Sequence, residues 1–462
     1  MLPNKPKNQD PQNDLFFIEL QRLVDSNHPL VRLSHQIDWE ELEQAFGSTY
    51  CPSNGRRGCS TRLLVGLHYL KHTCDLSDEE LLRQWVENPY WQYFCGEKFF
   101  QYDLPLDSSS LSRWRRRIAE SGVEPMLRAT IQAGLKVGLI RPKMLERVNV
   151  DTTVQEKQIR FPTDARLYDR MRQCLVQQAQ REGIVLRQSY RLIGRKTLLR
   201  QSRYAHAQQF KRAARMTRKL KVILGRVVRD VRRKSIKRSP EIERLLGLAD
   251  RLLQQQRHDR NKLYSIHEPE VECISKGKIQ KRYEFGCKVS LVSSSRGNWV
   301  LGAQALSHNP YDGHSLASAI QQARTLSGIQ PKEVYCDLGY RGHEPISSCK
   351  VQIVPRKRKH LARSLRRWMN RRAAIEPVIG HMKSEHRLGR NRLKGRVGDE
   401  INALLSACGY NIRKLLRAFL CLDQILTICR WITHLTKRAI SMHSMKYLQH
   451  FIPTTLTCTQ TS

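Results

Sequence analysis

The sequence predicts an α/β protein whose core sheet is interrupted by a long basic helical insertion and preceded by an all-helical N-terminal domain. Three observations in its 462 residues predict this. Up to about residue 140 the apolar positions keep helical spacing. Tyr283, Phe285, Cys287, Val289 and Leu291 alternate with Glu284, Gly286, Lys288 and Ser290, the period-two pattern of a half-buried strand. Between Thr163 and Leu263 stand 28 lysines and arginines against 8 acids, with almost no strand pattern.

In chain order, residues 15–46 read as helix, with Phe16, Ile18, Leu20, Leu23 and Val24 on an apolar side. Pro52 to Gly58 is a basic turn, and Thr61 to His72 returns to helix. Ser77 followed by Glu80 is a capping-box signature, in which hydroxyl and carboxylate satisfy orphan N–H groups at a helix start. Leu81, Leu82, Trp85 and Val86 then give that helix a buried face. A further helix starts near Ser109 and carries Arg113, Arg115, Arg116 and Arg117 around Leu111, Trp114 and Ile118. Such helix pairs occur in DNA-binding domains as well as in plain helical packing, and DNA-end binding is the reading favoured for residues 1–140.

At Arg147 the texture changes. Arg147 to Val150 reads as a short strand leading into Asp151. Beyond the alternating strand, Ser294 to Asn298 is a turn and Trp299 to Leu306 the partner strand. Glu333 to Cys336 is a strand running into Asp337, Val351 to Val354 is another, and the pattern is then helical. Three early strands, then helix, strand, strand and helices resemble an RNase H-like domain, assigned to residues 141–162 and 264–417. The insertion, 163–263, has helical stretches at Leu220 to Val231 and Ile242 to Gln256. Like charge at that density costs folding energy unless an anion relieves it, so it is read as a DNA-contacting arm. Within Arg191 to Arg238, the residues Arg195, Lys196, Arg212, Arg215, Arg218, Arg232 and Arg233 are its expected phosphate contacts. A tail, 418–462, ends in a polar and poorly patterned run.

Composition narrows the partner. The chain has 81 lysines and arginines against 42 acids, a formal charge of +39. Such a field attracts polyanions, because each phosphate neutralised releases a condensed counterion. Nucleic acid is favoured, since acids would serve solubility as well. The 13 cysteines include no C-x-x-C pair. Cys51 and Cys59 flank the basic turn without a second ligand pair, a weak argument for zinc. Cys287, Cys336, Cys421 and Cys429 read as small buried hydrophobes in a reducing cytoplasm. The polar N-terminus is not a signal peptide, and Arg417, Asp423 and Arg430 break the apolar tract Leu415 to Leu435, which argues against a membrane span.

The candidate chemistry rests on carboxylates. In-line phosphodiester attack uses two metal ions about 3.5–4 Å apart, and Mg²⁺ takes hard carboxylate oxygens. Asp151 and Asp337 each end a predicted strand; with those strands adjacent, both carboxylates would stand at one edge, and Glu376 would arrive from a following helix. Singly, Asp151 could be a cap and Asp337 a tight turn. Arg372, Glu376 and Lys383 follow R-x3-E-x6-K, which puts them on one helical face, an approximate one because Pro377 should kink or restart the helix. Two cations beside a metal-binding carboxylate suit a grip on DNA phosphates; a lone R-x3-E would read as an ordinary salt bridge.

Together these motifs resemble the bacterial insertion-sequence transposases of the DDE class, in the branch marked Y-x2-R-x3-E-x6-K. Arg372, Glu376 and Lys383 match, while Met369 stands at the tyrosine position. Asp337-Leu338-Gly339-Tyr340 matches the D-x-G-Y/F motif, and Asp151 the first aspartate after a strand. LYSIHEPEVECISKGK at 263–278, NPYDGHSL at 309–316 and RRAAIEPVIGHMKSEHRLGRNRLKG at 371–395 resemble the linking segments of the insertion-sequence-five family, over about residues 30 to 415. The resemblance implies an RNase H-like catalytic domain with Asp151, Asp337 and Glu376 as catalytic residues and metal ligands. It implies two Mg²⁺ ions, with Mn²⁺ as a substitute, and 3′-OH strand transfer. It also implies double-stranded DNA partners (terminal inverted repeats and target), a homodimer or larger assembly on DNA, no membrane, and a cytoplasmic, nucleoid-associated location. Asp312 and His314, after a Pro-Tyr turn, read as N-caps or loop anchors before metal ligands. The rival readings are a catalytically inactive DNA-binding relative, an RNase H-like nuclease without strand transfer, and a non-enzymatic RNA-binding protein.

Overall fold

The structure, a computed structural model, describes residues 18–50, 58–119, 122–235, 239–275, 281–355 and 362–421. Its centre is β1 (Arg147–Lys157), in which Val148, Val150 and Val154 are fully buried. β2 (Glu272–Ile274) and β4 (Val300–Leu306) pair antiparallel with β3 (Glu284–Ser294), which pairs antiparallel with β1 from Val148↔Ser294 to Glu156↔Gly286. On its other side β1 runs parallel to β5 (Glu333–Cys336) at Arg147↔Glu333 through Asn149↔Tyr335, and β6 (Lys350–Ile353) runs parallel beyond β5. A short β7 (Arg390–Asn391) pairs parallel with the far end of β1. Among the described residues the result is a mixed seven-stranded sheet.

Two strand readings are corrected. β1 does not stop before Asp151 but continues to Lys157, because β3 supplies ladder partners as far as Glu156. β3 is not half-buried: Lys288 and Ser290 on its polar side are buried too, covered by the turn around Asp312 and by β1 and β4.

The N-terminal helices follow their caps. The single helix expected over 15–46 is three, Leu20–Leu23, Pro29–Gln36 and Trp39–Gly47. Pro29 at the first helical position and Asp38, whose carboxylate accepts from the Glu41 N–H, each restart the chain. Ser77 caps Asp78–Glu87 by accepting from the Glu80 N–H at 3.1 Å. The return half of the capping box is not made, since Glu80 turns to Arg83 and Gln84. Most of the basic turn, 51–57, lies outside the described residues, as do Phe16, Cys429 and the tail from 422. Cys336 is buried, Cys287 half-buried and Cys421 exposed, so the last is not the small buried hydrophobe its apolar run suggested.

One continuous core runs from Leu30 to Phe419 and takes in the N-terminal helices, the sheet and a helix over 395–421. The break drawn at residue 140 falls inside it. The 395–421 helix packs on Thr61–Thr73 so closely that a Cβ at Gly409 would stand 2.5 Å from the His72 carbonyl oxygen. The insertion is organised differently. Among the described residues it holds four helices; Asp164–Arg181, Phe210–Lys234 and Pro240–Gln254 bury Met171, Leu175, Leu224, Val228 and Leu246 in a separate core, against which Leu198 of Arg191–His206 packs half-buried. Among the described residues no helix is long and apolar enough to cross a membrane.

Candidate active site

Asp151 sits at mid-strand on β1 and Asp337 directly follows β5. The two strands are paired as far as Asn149↔Tyr335, so each aspartate lies two residues past the last pair, side by side at one end of the parallel ladder. Asp151 Oδ1 accepts from the Thr152 N–H at 2.8 Å, and Asp337 Oδ1 from the Gly339 N–H at 2.9 Å. Each carboxylate is thereby oriented by backbone, with its second oxygen turned the same way.

What those oxygens face is Arg372. Its Nη2 lies 2.7 Å from Asp151 Oδ2 and 3.4 Å from Asp337 Oδ2, and its Nη1 lies 3.1 Å from Glu376 Oε1. One guanidinium thus gathers all three predicted carboxylates. The backbone that presents it is fixed from β1: buried Asn149 donates to the Arg371 carbonyl at 3.2 Å and accepts from the Ser295 hydroxyl at 2.7 Å, while Arg371 donates to the Ser295 carbonyl. Pro377 does not kink a through-going helix. The helix Arg363–Arg371 ends, a 3₁₀ turn spans Arg372–Ala374, and Ile375–Glu385 begins anew with Pro377 in its first turn, where no intrahelical N–H is needed. Lys383 lies half-buried on the last turn of that helix, whereas Glu376 is the open member, its side chain 63% exposed. Met369, at the tyrosine position, packs with Tyr335 and Val354 in a small apolar cluster.

Among the described residues no three His, Cys, Asp or Glu side chains close on one point as a bound metal requires. The donor set nevertheless fits one: three hard carboxylates already share a cation, the guanidinium, between strand, strand and helix.

The pairing of Asp312 escaped sequence reasoning. Its carboxylate does not cap its own turn but does anchor the loop, to β1 and β3: Oδ1 accepts from the Thr152 hydroxyl and from Lys288 Nζ, both at 3.1 Å. Lys288 also donates to the Pro310 carbonyl at 2.7 Å. Gly339 explains how Asp312 comes so near: a Cβ there would stand 3.0 Å from Asp337 Oδ1 and 3.3 Å from Asp312 Oδ2. Asp312 is therefore a fourth carboxylate beside the site, neutralised by Lys288. The sequence held no clue to this, since Lys288 alternates onto the polar side of its strand. His314 stacks edge-on against Tyr311. Tyr340 lies beneath, its phenol pushed far up by burial and its hydroxyl without a partner among the described residues.

The insertion's predicted contacts are all exposed. Arg232 pairs with Asp250 and Arg233 with Asp230, so these two are partly neutralised. Arg212 donates to Gln209, and Arg195, Lys196, Arg215 and Arg218 make no ion pair among the described residues. From Gly183 to Arg229 there is not one acid.

Residues 18–117 match the family model described as a transposase domain (DUF772), and residues 343–416 that of a transposase DDE domain. The second match includes Arg372, Glu376 and Lys383 and begins downstream of Asp151 and Asp337. An uncharacterized protein of Rhizobium meliloti, ORF8 in the nfe locus, is 50% identical over 210 residues, which are 46% of this chain and 100% of that protein. No solved structure matches the chain.

Proposed function

We propose that the chain, which carries two transposase domains, is an insertion-sequence DDE transposase that binds the ends of a mobile element, cleaves them by metal-assisted phosphodiester hydrolysis and joins the 3′-OH ends to target DNA. The observation that carries this reading is the gathering of Asp151, Asp337 and Glu376 on one guanidinium. An antiparallel β4-β3-β1 meander continued by parallel β5 and β6, with the carboxylates at the ladder's end, supports an RNase H-like catalytic unit. The motif order supports the insertion-sequence-five branch.

Asp151, Asp337 and Glu376 would hold Mg²⁺, or Mn²⁺ in its place, which when bound supplies Lewis-acid stabilisation of the attacking and leaving oxygens. The backbone N–H groups of Thr152 and Gly339 keep two of those carboxylates oriented. Arg372 offsets their mutual repulsion, and a planar guanidinium there also suits a phosphate. Lys383, two turns along from Glu376, adds a second cation for the DNA backbone. The helices of residues 1–140 would bind the element's terminal repeats, and a homodimer or larger assembly would hold two ends together.

The reading is tested by incubating the protein with duplex bearing an element end. Cleavage should appear with Mg²⁺ or Mn²⁺ and vanish in excess chelator, and Ca²⁺ should support binding without efficient turnover. Cleavage that persists in chelator would overturn the assignment and point to a covalent nucleophile.

The insertion has its own test, a salt titration of binding. Arg195, Lys196, Arg215 and Arg218 are exposed and outside ion pairs among the described residues, so they are the four to neutralise. Each phosphate contact contributes about 0.9 to the slope of log K against log salt, so the quadruple variant should flatten it by at most about 3.6. Element-end and random DNA should weaken alike. Loss confined to element ends would make the insertion a specificity element; no loss would make its charge plain solvated surface.

A further inference from the structure

A cavity of ≈ 740 Å³ opens where β1 hands the chain to the insertion. Its walls come from both crossings, Gln158 to Pro162 going in and Tyr264 to His267 coming out, together with the helix Asp164–Arg181 and Arg390 of β7. Asp151 lies seven residues back along the chain, about 23 Å at strand rise, so the cavity is separate from the carboxylates.

Two properties of the walls point the same way. The first is aromatic. Phe161 is 62% exposed, an apolar ring held at the mouth. It cannot easily fold away: its carbonyl accepts from Arg166 Nη1 at 3.2 Å, and its ring meets Phe285 edge-on at 5.4 Å, which in turn lies 5.4 Å from Tyr264. The second is charge. Arg160, Arg166, Arg170 and Arg390 line the cavity, and the one acid among the described lining residues, Asp169, is already bound to Arg172 at 2.8 Å.

An open aromatic face among unneutralised guanidiniums is the chemistry that binds a nucleotide outside a helix: the ring takes the base, the cations the phosphodiester. The volume suits such a ligand. A base stacked in duplex has neither face free and would leave Phe161 without a partner.

We propose that this cavity binds an unpaired nucleotide of a DNA strand, its base on Phe161 and its phosphate on the flanking arginines. The proposal rests on the reading of the chain as a DNA-handling protein. It places recognition of a frayed or single-stranded segment at the root of the insertion.

The test compares the full-length protein on two DNAs, a fully paired duplex and the same duplex with a short single-stranded tail carrying 5-iodouracil. The tailed DNA should bind more tightly, and irradiation should cross-link the tail to the peptide containing Phe161. Phe161→Ala, a change at an exposed ring that leaves thermal stability in place, should cost the tailed DNA roughly fivefold to a hundredfold in affinity, from about 1–3 kcal/mol per stacked base. The paired duplex should be bound as before, and Phe161→Trp should keep the preference. Equal affinity for both DNAs, or equal losses on both in Phe161→Ala, would overturn the proposal while leaving the transposase reading standing. A wild-type protein that binds neither DNA would overturn both.

Discussion

Asp151→Ala, Asp337→Ala and Glu376→Ala should each abolish cleavage of element-end DNA while leaving binding to it largely intact. Each removes an oxygen donor from the cation site, and Lewis-acid stabilisation of a phosphodiester reaction is worth several kcal/mol, on the order of a thousandfold or more in rate. The consequences for the fold differ. Glu376 is mostly exposed, so its loss should leave the melting temperature unchanged within error. Asp151 is largely buried and holds the shortest bond to Arg372, so its loss should also lower stability measurably. Gel assays of cleavage and binding, run beside thermal melts, check all three. An Asp337→Ala protein that still cleaves in Mg²⁺ would show that a different acid, with Asp312 the nearest candidate, does this work.

How much of this could be read from the sequence depends on how local the cause was. Asp337 was legible because β5 ends one residue before it and Asp337-Leu338-Gly339 signals a turn after it. The extent of β1 was not, since Thr152, Val154 and Glu156 stay in strand only because β3 lies alongside. The Lys288–Asp312 pair joins residues 24 apart across a strand and a turn, a contact that only the folded chain creates. In the insertion, Leu220 to Val231 advertised its buried face, and that stretch is helical. Arg191–His206 buries only Gly194 and Thr197, so no apolar stripe existed to betray it. The carboxylates could be named in advance; that Arg372 is their common partner, and that a 3₁₀ turn delivers it, could not.

Acid should weaken the fold as the pH drops below about 6.5. Three histidines lie buried where the N-terminal helices meet the end of the helix Ile375–Glu385. Burial, and after it the charge of Arg115, lowers His68 to about 3, and burial lowers His386 to about 4 against the raising effect of its bond to the His72 carbonyl. His72 is lowered as well, chiefly by burial. The contacts agree. Arg115 can only donate, and its Nη1 lies 3.2 Å from His68 Nε2, which must therefore carry no proton. His386 Nδ1 meets the His72 carbonyl at 2.8 Å and His72 Nδ1 the His386 carbonyl at 3.4 Å, a reciprocal clasp between Thr61–Thr73 and the end of the helix bearing Glu376. In the unfolded chain each imidazole takes up a proton below about 6.5, while in the fold it stays neutral. The unfolded state then binds more protons, so stability is complete above pH 6.5 and falls as the pH drops toward 4. Each histidine contributes up to about 1.4 kcal/mol per pH unit, or about 3 kcal/mol over that window, against a total near 5–15 kcal/mol. Asp78, which Arg115 and Lys71 hold below the usual carboxylate range despite the opposing effect of burial, loses its contribution only at lower pH and does not blur the window. Thermal melts between pH 7 and 4 should show a steep decline, shallower in His386→Asn, whose amide can keep the bond to the His72 carbonyl without titrating. A melting temperature flat between pH 6.5 and 4.5 would mean that these imidazoles are charged in the fold.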